Sequence, residues 1–255
     1  MQHRPHTGVY IKKRNMQNTL LIASFTLVSL VSFAQDGKVI NDSHAQKRPA
    51  AGFHGIHISS GIDLYLSQGN EEAVAVSADD PEVRDKIQVE VKDGILEIYI
   101  DNHGFHWGNW GSRHMKAYVS CKTMDQLHAS GGSDVYVQDQ IHSPQLDMNL
   151  SGGSDFHGKL NVGDLKVMQS GGSDSYVNGT ATTLNVNTSG GSDYHGYDLA
   201  ADNCHVEASG GSDAYLTVNK ELSASATGGS DVHYKGNGVV RSSQASGSGS
   251  ISHRD

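Results

Sequence analysis

The chain has 255 residues, of which 30 are Gly and only 4 Pro, with 36% hydrophobic residues and a formal net charge of -9. This composition excludes a helical protein with a thick apolar core and favours strands joined by many tight turns. Outside the first fifteen residues no Lys/Arg-rich run stands ready to neutralise phosphates, so nucleic acid is not expected as a partner.

Lys12, Lys13 and Arg14 precede an apolar run from Leu20 to Ala34 that ends in Ser32-Phe33-Ala34 before Gln35. A basic start, an apolar stretch short for a membrane span, and small residues at the positions read by signal peptidase predict an export signal over residues 1–34. The alternative for this segment is an uncleaved N-terminal anchor. Once the signal is cleaved no membrane span is expected, and residues 35–50 read as a linker.

Residues 51–120 open with "SSGIDLYL", Ser59 to Leu66, and continue through "EAVAVSAD", "KIQVEVKDGILEIYI" and "HMKAYVSC". The last three read as longer strands, with Lys92-Asp93-Gly94 as a tight hairpin turn. They predict a first coil and an antiparallel β cap over the N-terminal end of the repeats that begin at residue 121. Within this region "DNHGFHWGNWGSRH", Asp101 to His114, holds both tryptophans of the chain. Its Gly-rich backbone, aromatic rings and imidazoles make His103, His106, Trp107, Trp110 and His114 candidate ligand-binding residues, suited to a glycan ring, a partner protein or a transition metal. The plainer alternative is a hairpin tip packed on the cap sheet.

From residue 121 a Gly-Gly-Ser-Asp core recurs, with its first Gly at 131, 152, 171, 190, 210 and 228, in steps of 21, 19, 19, 20 and 18 residues. An eroded copy, "ASGSGSIS", stands at Gly247, and "SSGIDLYL" is an early one in which Asp63 and Tyr65 take the places of Asp134 and Tyr136. A period near 19 is the signature of a solenoid. Before each core the apolar residues alternate, as in Leu146, Met148 and Leu150, or Cys204, Val206 and Ala208. A half-buried strand of this kind cannot bury its face alone, whereas stacked coils make one continuous core. The prediction is an all-β, single-chain parallel β-helix over 121–255, with right-handed winding favoured by the general chirality of parallel crossovers.

Stacking in register turns repetition into columns. Asp134, Asp155, Asp174, Asp193, Asp213 and Asp231 form one; Tyr136, His157, Tyr176, His195, Tyr215 and His233 form a second, in which Tyr and His alternate. Rings about 4.8 Å apart can stack and exchange hydroxyl-to-imidazole hydrogen bonds. The Asp column is expected to tighten each corner by accepting from the local Gly-Gly-Ser backbone as an Asx turn does. Calcium between the carboxylates is the alternative remedy for their mutual repulsion, and no other cofactor is expected. Cys121 and Cys204 lie about four layers apart in chain order, roughly 19 Å, too far for a disulfide, and read as small buried hydrophobes.

A Ser and Asp with His nearby, as in Ser154, Asp155 and His157, do not make a nucleophilic triad, and His stands there in only three of the six copies. The core is not the G-x-S-x-G elbow, and a nucleophile should occur once, not six times. Acidic pairs about 5 Å apart also raise glycoside cleavage, but any Asp column creates that distance automatically.

"FHGIHISSGIDLYLSQGN" (Phe53 to Asn70), "VKDGILEIYI" (Val91 to Ile100) and "AYVSCKTMDQLHASGGSDVYV" (Ala117 to Val137), followed by serial Ser-Gly-Gly-Ser-Asp coils, resemble in their order the auto-transporter adhesin head GIN domain family of exported bacterial proteins. The resemblance covers about residues 51–240 and implies a β-helical fold, export to the periplasm or cell surface of a Gram-negative bacterium, and no transferable catalytic residue. The function expected is therefore that of a non-enzymatic, adhesin-like binding or structural protein of the envelope, with a glycan or protein at the cell surface as partner. The alternative is a polysaccharide lyase or hydrolase using Asp residues on the solenoid face.

Overall fold

The computed structural model describes residues 31–32, 39–101 and 114–255. Most of the expected export signal lies outside them, as do His103, His106, Trp107 and Trp110 of the candidate loop. Val31–Ser32 (β1) and Val39–Ile40 (β2) form a short antiparallel pair. The rest of the described chain is an all-β solenoid of about seven turns, as the period predicts.

Its regular part runs through β10 (Gln126–Ser130), β11 (Val135–Val137), β12 (Ile141–Ser151), β13 (Phe156–Ser170), β14 (Ser175–Ser189), β15 (Tyr194–Gly210) and β16 (Asp213–Gly228), and ends in β17 (Asp231–Lys235), β18 (Val239–Gly247) and β19 (Ser250–His253). Each strand pairs in parallel with its counterpart one coil on. Leu146 thus lies beside Leu165, Leu165 beside Leu184, Leu184 beside Cys204 and Cys204 beside Leu222. The unequal steps of the repeat appear as register shifts: three residues of β15, Tyr197, Asp198 and Leu199, intervene between its pairings of Gly196 and Ala200 with adjacent residues of β16.

The N-terminal region departs from chain order. β4 (Gly55–Ile58) and β5 (Ile62–Gln68) form a coil directly beneath β10 and β11, as "SSGIDLYL" predicts. Beneath that coil, in turn, lie β8 (Ile95–Ile100) and β9 (Met115–Cys121), which pair in parallel with β4 and β5. The expectation that the strands following the first coil form an antiparallel cap is corrected for two of them: β8 and β9 make a further parallel coil, so that the first coil in sequence is the second in space. Only β3 (Gln46–Arg48), β6 (Ala73–Ser77) and β7 (Ile87–Lys92) add in the antiparallel sense, β3 to β6, β6 to β9 and β7 to β8. Asp93 and Gly94, with φ of 51° and 79°, make the predicted hairpin between β7 and β8. A one-turn helix, α1 (Pro81–Arg84), capped by the Asp80 carboxylate, links β6 to β7.

One apolar cluster runs the length of the stack, from Phe53 to Val232. Its layers are fitted by exchange of volume between two inward positions. Phe156 is followed two residues later by Gly158 and Tyr194 by Gly196, whereas Ser175 is followed by Val177 and Ala214 by Leu216. A Cβ on Gly158 would stand 2.7 Å from the Phe156 ring, and one on Gly196 would run into the Tyr194 ring. Bulk at the first position therefore demands its absence at the second, which is how a close-packed interior accommodates unequal coils. Gly196→Leu is expected to destabilise the protein by about 1–3 kcal/mol through overpacking. The double variant Tyr194→Ala/Gly196→Leu, which copies the Ala214 and Leu216 arrangement of the next coil, should recover most of that loss in thermal melts.

Candidate functional site

Each Gly-Gly-Ser-Asp core is a corner of the solenoid. Its first Gly has a positive φ, between 65° and 87° in the six copies, and a Cβ on Gly152, Gly171, Gly190 or Gly210 would come within 3.2–3.3 Å of the backbone nitrogen of the corner below. Left-handed backbone and close coil-to-coil approach both require glycine there. The six corner serines, Ser133, Ser154, Ser173, Ser192, Ser212 and Ser230, are wholly buried. In the lower coils their hydroxyls accept from the coil beneath: Ser154 Oγ from the Ser133 N–H (3.0 Å), Ser173 Oγ from Ser154 (3.1 Å) and Ser192 Oγ from Ser173 (3.0 Å). Above Ser192 the hydroxyl reverses role, and Ser212 and Ser230 donate to the carbonyls of Thr188 and Ala208. The change accompanies the second glycine, which has positive φ at 132, 153 and 172 but not at 191, 211 or 229.

The Asp side chains do not close their own corners. Asp134 Oδ1 accepts from the Asp155 N–H at 3.0 Å, and the same bond recurs from Asp174 to Asp155, Asp193 to Asp174, Asp213 to Asp193, Asp231 to Asp213 and Ser250 to Asp231, all at 2.9–3.1 Å. This corrects the expected Asx turn: the carboxylate bonds between coils, because the strand spacing brings the next backbone donor within reach of an outward-pointing Asp. Asp63 begins the column; burial first, then the charge of Asp134, raises its pKa, against a hydrogen bond from the Asp134 backbone.

The rings stack as the alternation predicts. Tyr136, His157, Tyr176, His195 and Tyr215 succeed one another at centroid distances of 4.5–5.3 Å with interplanar angles of 2–11°, and His233 continues them at 5.2 Å with a tilt of 35°. The early coils extend the column through Tyr65 to Tyr118. Hydroxyls and imidazoles do not exchange hydrogen bonds as expected, since parallel stacking points their polar atoms the same way. Tyr136 and Tyr215 donate instead to Asp134 and Asp213 of their own coils, at 3.4 and 3.3 Å, and Tyr118 to Asp42 at 2.8 Å. Burial, followed by the neighbouring Asp charges, raises the phenol pKa values of Tyr136, Tyr176 and Tyr215, so these remain donors. The rings cover one another's faces and present edges outward.

His114, the one candidate loop residue within the described chain, is exposed and pairs through Nδ1 with Asp79 Oδ2 at 3.1 Å. It immediately precedes β9, whose Met115 pairs with Ile62 at the corner of the β4–β5 coil, and its charge acts on Asp63 at the foot of the Asp column. Cys121 and Cys204 are free and buried, with thiols pushed up to about 12 by burial. The out-of-order stacking separates them further than chain order implies. Among the described residues no group of three His, Cys, Asp or Glu side chains is placed to hold a metal ion.

On another face the lower coils hold a pair that the periodic reading passed over. His57 and His128 stack at 4.2 Å with an interplanar angle of 6°, and the Gln126 amide nitrogen lies 3.1 Å from Nε2 of each. Burial lowers both imidazole pKa values; the neighbouring His57 lowers that of His128 further, while Glu97 opposes the shift at His57 and Asp147 opposes it at His128. Aligning "GIHISSGIDLYL" with "QLHASGGSDVYV" on their shared Ser and Asp places these histidines at one position, a signal available in the sequence. They line an open groove with Ser59, Glu97, Tyr99, Ser130, Asn149 and Ser151.

The family model described as "Putative auto-transporter adhesin, head GIN domain" matches residues 52–238. The chain belongs to this family. The β-helical fold implied by the resemblance of its motifs is the fold observed. No curated protein matches the chain. Among solved structures, a "putative adhesin" from Bacteroides fragilis NCTC 9343 is 21% identical, with a TM-score of 0.76 over 82% of this chain and 96% of that one. A "Putative lipid binding protein" from Parabacteroides distasonis ATCC 8503 is 16% identical, with a TM-score of 0.64 over 83% and 96%. A "putative adhesin" from Parabacteroides merdae ATCC 43184 is 17% identical, with a TM-score of 0.64 over 83% and 95%. At these identities the likeness is one of fold.

The geometry of this GIN domain leads to two outcomes. Asp174→Ala leaves the Asp193 N–H without its acceptor and should cost about 1–3 kcal/mol, whereas Asp174→Asn keeps an oxygen in place and should cost less; urea titration compares them. His57 and His128 are neutral in the fold, and their folded pKa values lie below those of unfolded histidine. The unfolded chain therefore takes up protons first as pH falls, and stability present above the ordinary histidine range is lost on descending through it. The melting temperature should drop between pH about 7.5 and about 5.5, and drop less in His57→Asn/His128→Asn, which places at both positions the residue that Asn149 supplies one coil on.

Proposed function

We propose that this GIN-domain chain is a non-enzymatic, exported binding scaffold of the cell envelope. The observation that carries this reading is the Asp column. A carboxylate pair that cleaves glycosides needs two unlike environments, so that one group holds a proton while the other is ionised. Here Asp134, Asp155, Asp174, Asp193, Asp213 and Asp231 share one environment, and an oxygen of each is committed to the backbone of the coil above. These carboxylates serve the stack, and a rigid stack with outward positions free to vary suits presentation of a binding surface. Family membership supports an adhesin-like role, and the basic-apolar N-terminus supports export. No helix among the described residues is long and apolar enough to cross a membrane.

The full chain, detected by antibody in fractionated cells of a native host, should appear in the envelope or the medium and should increase the retention of cells on surfaces they colonise. Residence in the cytoplasmic fraction, or unchanged retention after deletion of the chain, would overturn the reading.

A further inference from the structure

Among the outward columns of the solenoid, one face departs from uniformity in its four lowest coils. Glu97, His57, His128 and Asn149 succeed one another in register, and the position two residues on in each strand holds Tyr99, Ser59, Ser130 and Ser151. Long polar side chains beside three serines leave a furrow, and Tyr99 stands at its lower end where the coils above have serine. The resulting groove encloses ≈ 330 Å³, within the roughly 300–1,000 Å³ of small-molecule sites. Above Asn149 the column continues as Met168, so the run of polar groups stops there.

The chemistry of the lining is specific. An amide nitrogen only donates, so Gln126 makes Nε2 of both His57 and His128 acceptors and leaves the ring proton of each on Nδ1. Each of these two groove-lining rings thus keeps one N–H to offer, one coil apart and in parallel planes. Facing requirements of the opposite kind come from the Glu97 carboxylate, held by Lys92 Nζ at 3.1 Å, and from the Asn149 amide, which both donates and accepts. Tyr99 is anchored by its hydroxyl to Glu90 at 2.7 Å, which leaves its ring as apolar surface.

This set discriminates between ligand classes. A metal ion is disfavoured because stacked imidazoles aim their lone pairs in parallel and do not converge within the ~2.1 Å that coordination needs. An anion meets Glu97, while Lys92 is already engaged by Glu90 and Glu97. A polyol satisfies every group, since each hydroxyl both donates and accepts and the C–H face of a sugar ring can lie on an aromatic side chain. We propose that the groove over His57 and His128 binds an uncharged sugar residue of a glycan. The proposal rests on the binding reading above and adds to it a place and a ligand class.

The full chain is to be titrated against neutral hexose and N-acetylhexosamine oligosaccharides, with sialylated and uronic-acid oligosaccharides alongside, using ligand-observed NMR. At least one neutral glycan is expected to bind. Its Kd should rise about tenfold in Glu97→Gln and in His57→Ala/His128→Ala, the equivalent of one lost hydrogen bond to a charged or paired group, and stay unchanged in Tyr176→Phe on the ring column. Glu97→Gln is nearly isosteric, so it reports on binding even if the double variant proves unstable. Binding that ignores both groove variants, binding confined to the acidic glycans, or no glycan binding at all would each overturn the groove proposal. None of those results touches the cell-fractionation and retention tests, on which the scaffold reading stands or falls separately.

Discussion

The structure depends on the satisfaction of corner backbone donors by side chains of a neighbouring coil, by Asp at every regular corner and by Ser as well up to Ser192. A solenoid corner cannot use its own strand ladder, and a buried N–H without a partner costs free energy comparable to a lost hydrogen bond. Two side chains solve this in opposite directions. Between the coils of Asp134 and Asp155, the lower coil's Ser133 N–H reaches up to Ser154 Oγ, and the upper coil's Asp155 N–H reaches down to Asp134 Oδ1. A slip of one residue would break both bonds and expose the apolar face. Register is thereby locked at the corner, and the ring column is a consequence: rings stack at 4.5–5.3 Å because their backbones are already held at the strand spacing.

This division of labour explains why the Ser and Asp recur while the inward residues vary. The core tolerates Phe156, Ser175, Tyr194 and Ala214 at successive coils because the position two residues on compensates in volume. Large inward residues occur in the coils of His157 and His195, and small ones in those of Tyr176 and Tyr215. The alternation outside and the alternation inside are in phase.

The columns were legible in the sequence because a repeat states its own register: six copies of one core fix which residues meet, and Tyr136 had to find His157. The features that were not legible are those a repeat does not encode. The Asp bond runs between coils and not within one, and spacing in sequence does not distinguish these. The coil of β8 and β9 lies beneath that of β4 and β5 although it comes later in the chain, and a single pass of non-repeating strands carries no signal of that order. Of the loop candidates, only His114 falls within the described residues, and it pairs with Asp79. The groove was missed because its groups come from four coils, two of them stacked out of chain order, so that Glu97 and His57, 40 residues apart, are neighbours.

A repeating scaffold cannot make a unique site by repetition, since every coil then offers the same groups. Specificity has to come from positions that the stacking leaves unconstrained. The corner Ser and Asp are committed to the neighbouring coil, and the inward residues are committed to volume. The outward column that runs Glu97, His57, His128, Asn149, Met168, Asn187 and Glu207 carries neither duty, and its side chains differ at nearly every step. Because these residues lie on a lattice fixed elsewhere, substitution there changes the surface with little cost to the fold. The same lattice holds two or three such side chains one coil apart with little freedom to move, which is the preorganisation that a binding site needs.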